Sequence, residues 1–402
     1  MRTALMTAST LICVICTNAL STAATWNCTI LPSEHTLSSD PASGARLIRV
    51  TSHNAADSNL YFHQRCFLPN NKLMLFYSDR SGRNEIMGYL LETGELIRFN
   101  TSPQPASGSP VASRHANRIF VSRNNQIYRW DLTMTTTPGT SVEVTETLLT
   151  SLPPGASQRS FIDENSNGTL LVYAYSLNDE HYLGFCSTDT GSPLPPTKLN
   201  FKPDHIQFHW TRPDLVAFNR IYGSDVAPKD PTAPRQARIW FLNTETRIPT
   251  PAFWQVPGEI TTHECWWVND QMTFIGGHHH EGSREEGHVK TLNLLTGDIQ
   301  IKGAGAWIEQ VTASQLAEVN WWHAAGSPNG KWIAADNWHG IIAIFNARTT
   351  ERKTLTQGHR TYGSGHHLHV GWDTTGQRVE FTSNAHGNPD VYIAEIPKDW
   401  TP

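Results

Sequence analysis

An internal repeat constrains this chain more than any other feature. Its unit is a short strand, a turn rich in Asn, Asp and Gly, an apolar strand, a second turn, then an aromatic-rich strand leading into a Thr-Gly type turn. Regular recurrence of such a unit decides the fold before any local reading does. The apolar strand returns as LMLFYS (73–78), RIFVS (118–122), LLVYAY (170–175), LVAFN (215–219), MTFIG (272–276), WIAAD (332–336) and VEFTS (379–383). The strands after it read EIMGYLL, QIYRWDL, HYLGFCS, RIWFLN, HVKTLNL, IIAIFNA and DVYIAEI. Copies are 45 to 60 residues apart, which fits four short antiparallel strands plus variable loops. Helical periodicity is nearly absent. The repeat predicts an all-β chain, a seven-bladed β-propeller with four antiparallel strands per blade, in which radial repetition protects the strand edges. A two-sheet sandwich shares the strand spacing; the sevenfold recurrence weighs against it. The insertions 223–237 and 277–288 are then end loops, a usual place for ligand contacts.

The first 24 residues carry one Arg, an apolar stretch centred on Leu11 to Val14 and small residues ending in Ser21-Thr22-Ala23-Ala24, the pattern of a cleavable secretory signal. The mature chain, read as starting near Thr25, is a single propeller domain over 25–402. No other apolar run is long enough to cross a bilayer, so a released or periplasmic product without a membrane partner is expected. Asn27, Asn100 and Asn167 open glycosylation sequons, meaningful in a eukaryotic host. Without the leader four cysteines remain, Cys28, Cys66, Cys186 and Cys265, too few for a disulfide scaffold, although a Cys28 to Cys66 bridge is conceivable. A net charge of -5 gives no basic footprint for nucleic acid. Nothing calls for self-association, and a monomer is expected. Nineteen His and fourteen Trp are the oddities, and both types suit carbohydrate or metal sites.

The innermost strand of each blade lines the central channel, so a position kept in register forms a ring. Ten residues before the matched apolar position stand His63, Ser109, Phe161, His205, His263, His323 and His369. A lone strand histidine is usually a hydrogen-bonded structural residue, but five at one level favour converging imidazoles, which are ready metal ligands. Strand alternation puts His367 on the side of His369 and Cys265 on the side of His263. His367, His369 and His263 are therefore the expected metal ligands. The run His278-His279-His280, beside Glu281, Glu285 and Glu286, reads as a solvated loop.

Several segments resemble the oligogalacturonate lyases, metal-dependent seven-bladed propellers that degrade short pectin fragments. The stretch from Asp40 to Thr51 resembles that family's opening strand, and YFHQRCFLPNNKLMLFYSDRSGRNEI its first blade. More specific are THECWW, similar to the family's T-H-E-F-W segment, and HLHVGWDTTGQRVEFTSNAHGNPDVYIAEIP, similar to its final blade without a gap. The resemblance implies that His263, His367 and His369 hold a divalent metal, usually manganese. It also implies that His205, in DHIQFHWTRPDLVAF, is the catalytic base, and that Arg238 occupies a matching position. Two departures accompany it. Ser364 stands where the family has a glutamine ligand, and no arginine occurs between Arg159 and Arg212, where His181 and Tyr182 lie instead. Cys265, His323 or water is then the candidate fourth ligand. A thiolate would favour zinc, with calcium a third option, and propeller-type ulvan lyases are relatives for which a structural zinc and a His/Tyr pair are expected.

The function implied is a secreted lyase of uronate-containing oligo- or polysaccharides, oligogalacturonate-like in substrate, with ulvan or glucuronate glycans as the alternative. Such an enzyme removes the C5 proton beside a carboxylate and expels the O4 substituent, leaving a 4,5-unsaturated sugar. A neutral histidine suits the base and a metal the carboxylate. His205 is the expected base, Arg238 the carboxylate clamp, His63 and His323 further ring members facing substrate, and Tyr182, with His181 beside it, or a water the donor to O4. A non-catalytic propeller that binds glycan or protein is the rival from another class. A glycoside hydrolase would need paired carboxylates, and none stands at the ring level.

Overall fold

The computed structural model describes residues 23–99, 108–221, 225–278, 286–306, 319–359 and 366–402. The leader to residue 22, the Asn100 sequon, His279, His280, Glu281, Glu285 and Ser364 lie outside the described residues.

The apolar strands sit between sheets rather than at a surface. Trp332–Asp336 and Ile342–Asn346 are buried at every position, as continuous apolar runs covered on both faces should be. Seven antiparallel sheets account for this arrangement: the protein is a seven-bladed β-propeller. All seven repeat strands are second strands of their blades, and no α-helix forms among the described residues. Blades 3 to 6, spanning 157–199, 203–251, 259–303 and 324–356, have four strands each.

The other three blades depart from the expected four with five strands each, blades 1 and 2 taking one and blade 7 two from the N-terminal segment. Ala24–Asn27 adds to the outer strand of blade 2, Ser141–Ser151, and Thr29–Leu31 adds to that of blade 1, Leu96–Arg98. Thr36–Ser39 and Arg46–Arg49 then complete blade 7, whose inner strands are Gly371–Trp372, Arg378–Ser383 and Asp390–Glu395. One N-terminal strap thus visits three blades and closes the ring.

Turn chemistry fixes the hairpins. Asn124-Asn125 and Asn178-Asp179 have φ of 51° and 59°, and 50° and 62°, the left-handed pair that a two-residue hairpin demands and Asn tolerates. Tryptophans join the blades. Trp266 Nε1 donates to the Gln207 carbonyl at 3.1 Å, Trp267 Nε1 to that of Ser327 at 2.9 Å, and Trp372 Nε1 to that of Ala325 at 2.8 Å. Much of the tryptophan excess is therefore interblade packing. All four cysteines are buried free thiols, so no Cys28 to Cys66 bridge forms; burial pushes the Cys28 thiol up to about 12.

Candidate active site in the channel

The histidines of the ring do converge. Around the Tyr61 ring stand those of His63 at 5.1 Å, His205 at 5.1 Å, His323 at 5.9 Å and His369 at 4.8 Å, centre to centre. His263 lies 4.4 Å from His323, which lies 4.5 Å from His369. Tyr61 and Phe62, from the segment after the innermost strand of blade 1, fill the middle of the channel. Phe161, the ring member of blade 3, packs on His63 at 4.7 Å and on His205 at 5.8 Å.

Backbone irregularity aims these side chains. Pairing shifts register between Asp204 and Gln207 in blade 4 and between Thr262 and Cys265 in blade 5. His205, His263 and His369 have φ of 47°, 52° and 50°, a left-handed conformation that is strained for a residue with a side chain and recurs at functional sites. Bulges of this kind re-aim a side chain. They also break simple alternation. His367 and His369 remain neighbours, 5.3 Å apart, whereas Cys265 points away from the ring, its thiol set toward the Trp266 carbonyl and lining a cavity at the opposite mouth.

The electrostatics separate two groups. In the first, His323, His367 and His369 bring ligand nitrogens within 4.8 Å of one another, the one such cluster among the described residues. His323 Nδ1 faces Asp336 Oδ2 at 2.9 Å, and its Nε2 is buried with no partner. Asp336 also accepts the backbone N–H groups of His323 and His369, at 2.8 and 2.9 Å. Burial raises its carboxyl to about 6 against these bonds. Burial, with the neighbouring imidazoles, also holds His323 and His369 well below the usual histidine range. They are neutral, and neutral imidazole backed by a carboxylate is the form that binds metals. The orphaned Nε2 and its carboxylate fit a divalent ion. His263 lies against this cluster with its Nδ1 buried and unpartnered.

In the second group, His205 Nδ1 faces Glu264 Oε1 at 3.0 Å. Glu264 is also bound by Arg238 Nε at 3.3 Å, and Arg238 pairs in turn with Asp225. Burial alone would raise Glu264; Arg238 and His205 overcome it and hold the carboxyl at about 2. An ionised Glu264 fixes Nδ1 as the protonated nitrogen of His205 and leaves Nε2 as the basic one.

The cavity beside the first group measures about 700 Å³ and is lined by Tyr61, Phe161, His366, His367 and His369, with Asn84, Arg123 and Asn125 from blades 1 and 2; His205 and Glu264 lie outside that lining. Other expected residues lie elsewhere. Arg238 is buried between two carboxylates. His181 bonds Ser176 Oγ at 2.8 Å, and Tyr182 bonds Glu180 and stacks on Tyr175 at 5.1 Å, on the third strand of blade 3. His63, a member of the ring through its contacts with Tyr61 and His205, borders the opposite cavity together with Cys265. Tyr61, Glu264 and Asp336 are the site residues that register counting passes over. Glu264 adjoins His263 in THECWW and Tyr61 stands two before His63, but only the folded ring shows whom they touch.

No family model and no curated protein matches the sequence. Solved structures do match in shape. An oligogalacturonate lyase in complex with manganese superimposes with a TM-score of 0.72 at 17% identity, covering 92% of this chain and 98% of the other. An oligogalacturonate lyase from Vibrio parahaemolyticus gives 0.72 at 16% identity, with coverage of 94% and 100%. The WD40 domain of Neurospora crassa Pan2 gives 0.52 at 10%, with coverage of 86% and 91%. At these identities the likeness establishes the fold.

Proposed function

We propose that this chain is a secreted lyase that cleaves uronate-containing oligo- or polysaccharides by β-elimination. The observation that carries the reading is His205 braced by Glu264 in a channel whose next wall is the cluster of His323, His367 and His369. Structural likeness to two oligogalacturonate lyases, one of them a manganese complex, supports it.

In this reading His205 Nε2 takes the C5 proton, and Glu264 stabilises the imidazolium that results. Tyr61 packs on His205 with ring centres 5.1 Å apart, and burial keeps its proton on well above the usual tyrosine range; it hands a proton to O4 as the bond breaks. A divalent ion held by His323, His367 and His369, with His263 beside them, would neutralise the uronate carboxylate and the charge that develops there. Three neutral imidazoles suit manganese or zinc better than calcium, which prefers oxygen ligands. Phe62, Phe161 and the packed imidazoles restrict water around the reacting carbon.

Incubation with oligogalacturonate, ulvan and glucuronate-capped glycans, with manganese or zinc supplied, tests the reading. The expected result is ultraviolet absorbance from an unsaturated uronate with at least one of them. Silence on all three, with a metal bound, would refute the lyase. The signal-like pattern of residues 1–24 supports the secreted location, testable by sequencing the mature N-terminus after expression in the native host.

A further inference from the structure

The channel has a second mouth. Beyond Tyr61 and Phe62, where the innermost strands turn outward, a separate cavity of about 270 Å³ is lined by Phe62, Arg114, Trp210, Cys265 and Trp372, among others. The proposed lyase chemistry uses none of these side chains except Phe62, as a wall.

Arg114 is the anomaly. It follows the innermost strand of blade 2, Ser109–Ala112, and its backbone N–H donates to Glu164 Oε2 at 2.7 Å. Its guanidinium, by contrast, forms no ion pair and no hydrogen bond among the described residues, and its Nε is buried without a partner. Nearby Arg65 is paired where Arg114 is not: it donates to Asp163 Oδ1 at 2.5 Å and to the Ala112 carbonyl at 3.0 Å, although its Nη2 is buried without a hydrogen-bond partner. The two local carboxylates are already committed. Asp163 also accepts the Phe208 N–H at 2.7 Å, and Glu164 accepts Ser113 Oγ at 3.0 Å. Burial and the charge of Arg65 pull Arg114 down to about 9, a burden that Asp163 and Glu164 only partly relieve. Arg114 is half-buried with its Nε sealed from solvent, and a guanidinium so placed ordinarily finds a carboxylate of its own.

The cavity supplies what the protein does not. Its walls are the flat apolar faces of Trp210, Trp372 and Phe62, which suit a compact carbon skeleton. Its volume excludes a chain of sugars. We propose that this mouth binds one small organic carboxylate, of monosaccharide size or less, with the acid group on Arg114 and the skeleton between Trp210 and Trp372. This inference is independent of the lyase reading: the two cavities share only Gln64 as a lining residue, and neither reading gives Gln64 a chemical role.

Titration of the whole protein with glucuronate, acetate, sulfate and glucose, followed by calorimetry and tryptophan fluorescence, tests it. Glucuronate or acetate is expected to bind saturably, with a dissociation constant on the order of 1 mM or tighter, while sulfate and glucose do not. Arg114→Met is expected to weaken that binding at least about tenfold, the loss of one charge-assisted pair. It should leave β-elimination unchanged, whereas His369→Ala, which disables the other site, should leave the binding unchanged. If Arg114→Met does not fold, Trp210→Phe replaces it: the carboxylate-induced fluorescence change must shrink. Absence of saturable carboxylate binding, equal binding of sulfate, loss of binding in His369→Ala, or an undiminished signal in Arg114→Met or Trp210→Phe would each overturn the proposal.

Discussion

Glu264 holds His205 on one side and Arg238 on the other, so its removal should misorient the base rather than abolish substrate binding. Glu264→Gln is expected to lower kcat on the order of 100-fold with little change in KM, and His205→Ala by about 100-fold to 10,000-fold. Steady-state kinetics on whichever glycan is cleaved checks both. Glu380, which takes no part in the proposed chemistry, gives a stability prediction. Burial pushes its carboxyl from the ordinary 4.5 up to about 8, with Cys66 Sγ at 3.5 Å and one carboxylate oxygen unpartnered. The folded protein therefore keeps a proton there that the unfolded chain has already lost above about pH 4.5. Stability from this group is full below that pH and declines as pH climbs through about 8, by on the order of 5 kcal/mol in all. Glu380→Gln should flatten that decline and raise the melting temperature above pH 8, as calorimetry across pH would show. At this scale the sequence was informative where a register could be counted, as for His205, His263, His323 and His369. It was silent where the partner came through space, as with Tyr61 and Asp336, and misleading for Cys265, because a bulge rotates the strand between it and His263.

Between residue and ring, the contact between blades is the unit that carries stability. Gly326 shows how tight it is: a Cβ there would stand 2.1 Å from Trp267 Cδ1 of the neighbouring blade. Gly326→Ala is expected to cost about 2 kcal/mol, the usual scale for overpacking a filled interior, read as a lower urea midpoint with an unchanged slope. The second strands of the blades were legible from apolar runs between Asn, Asp and Gly turns, because burial on both faces leaves a near-continuous hydrophobic signature; third strands such as Gln126–Thr135, buried only in part, were legible by their place in the repeat. The short strands Ala24–Asn27 and Thr29–Leu31 were not. They lie on outer edges, exposed for much of their length, and an edge strand with little to bury leaves no pattern to find.

For the whole molecule, the strap that closes the ring should matter out of proportion to its size. Deleting residues 23–31 removes the fifth strands of blades 1 and 2 and uncovers Trp130, against which Trp26 packs edge-on at 5.9 Å. A loss on the order of 3 kcal/mol is expected, seen as an earlier thermal transition while the histidine cluster still binds its ion. The same topology orders events in time. Tyr392 pairs with Arg49, so residues made early in synthesis wait for almost the last ones before they find a partner. Until then the torus stands open, and contacts this distant along the chain are slow to form. A ribosome that stops short of residue 390 would release a polypeptide with every imidazole of the channel already present and no circle to hold them.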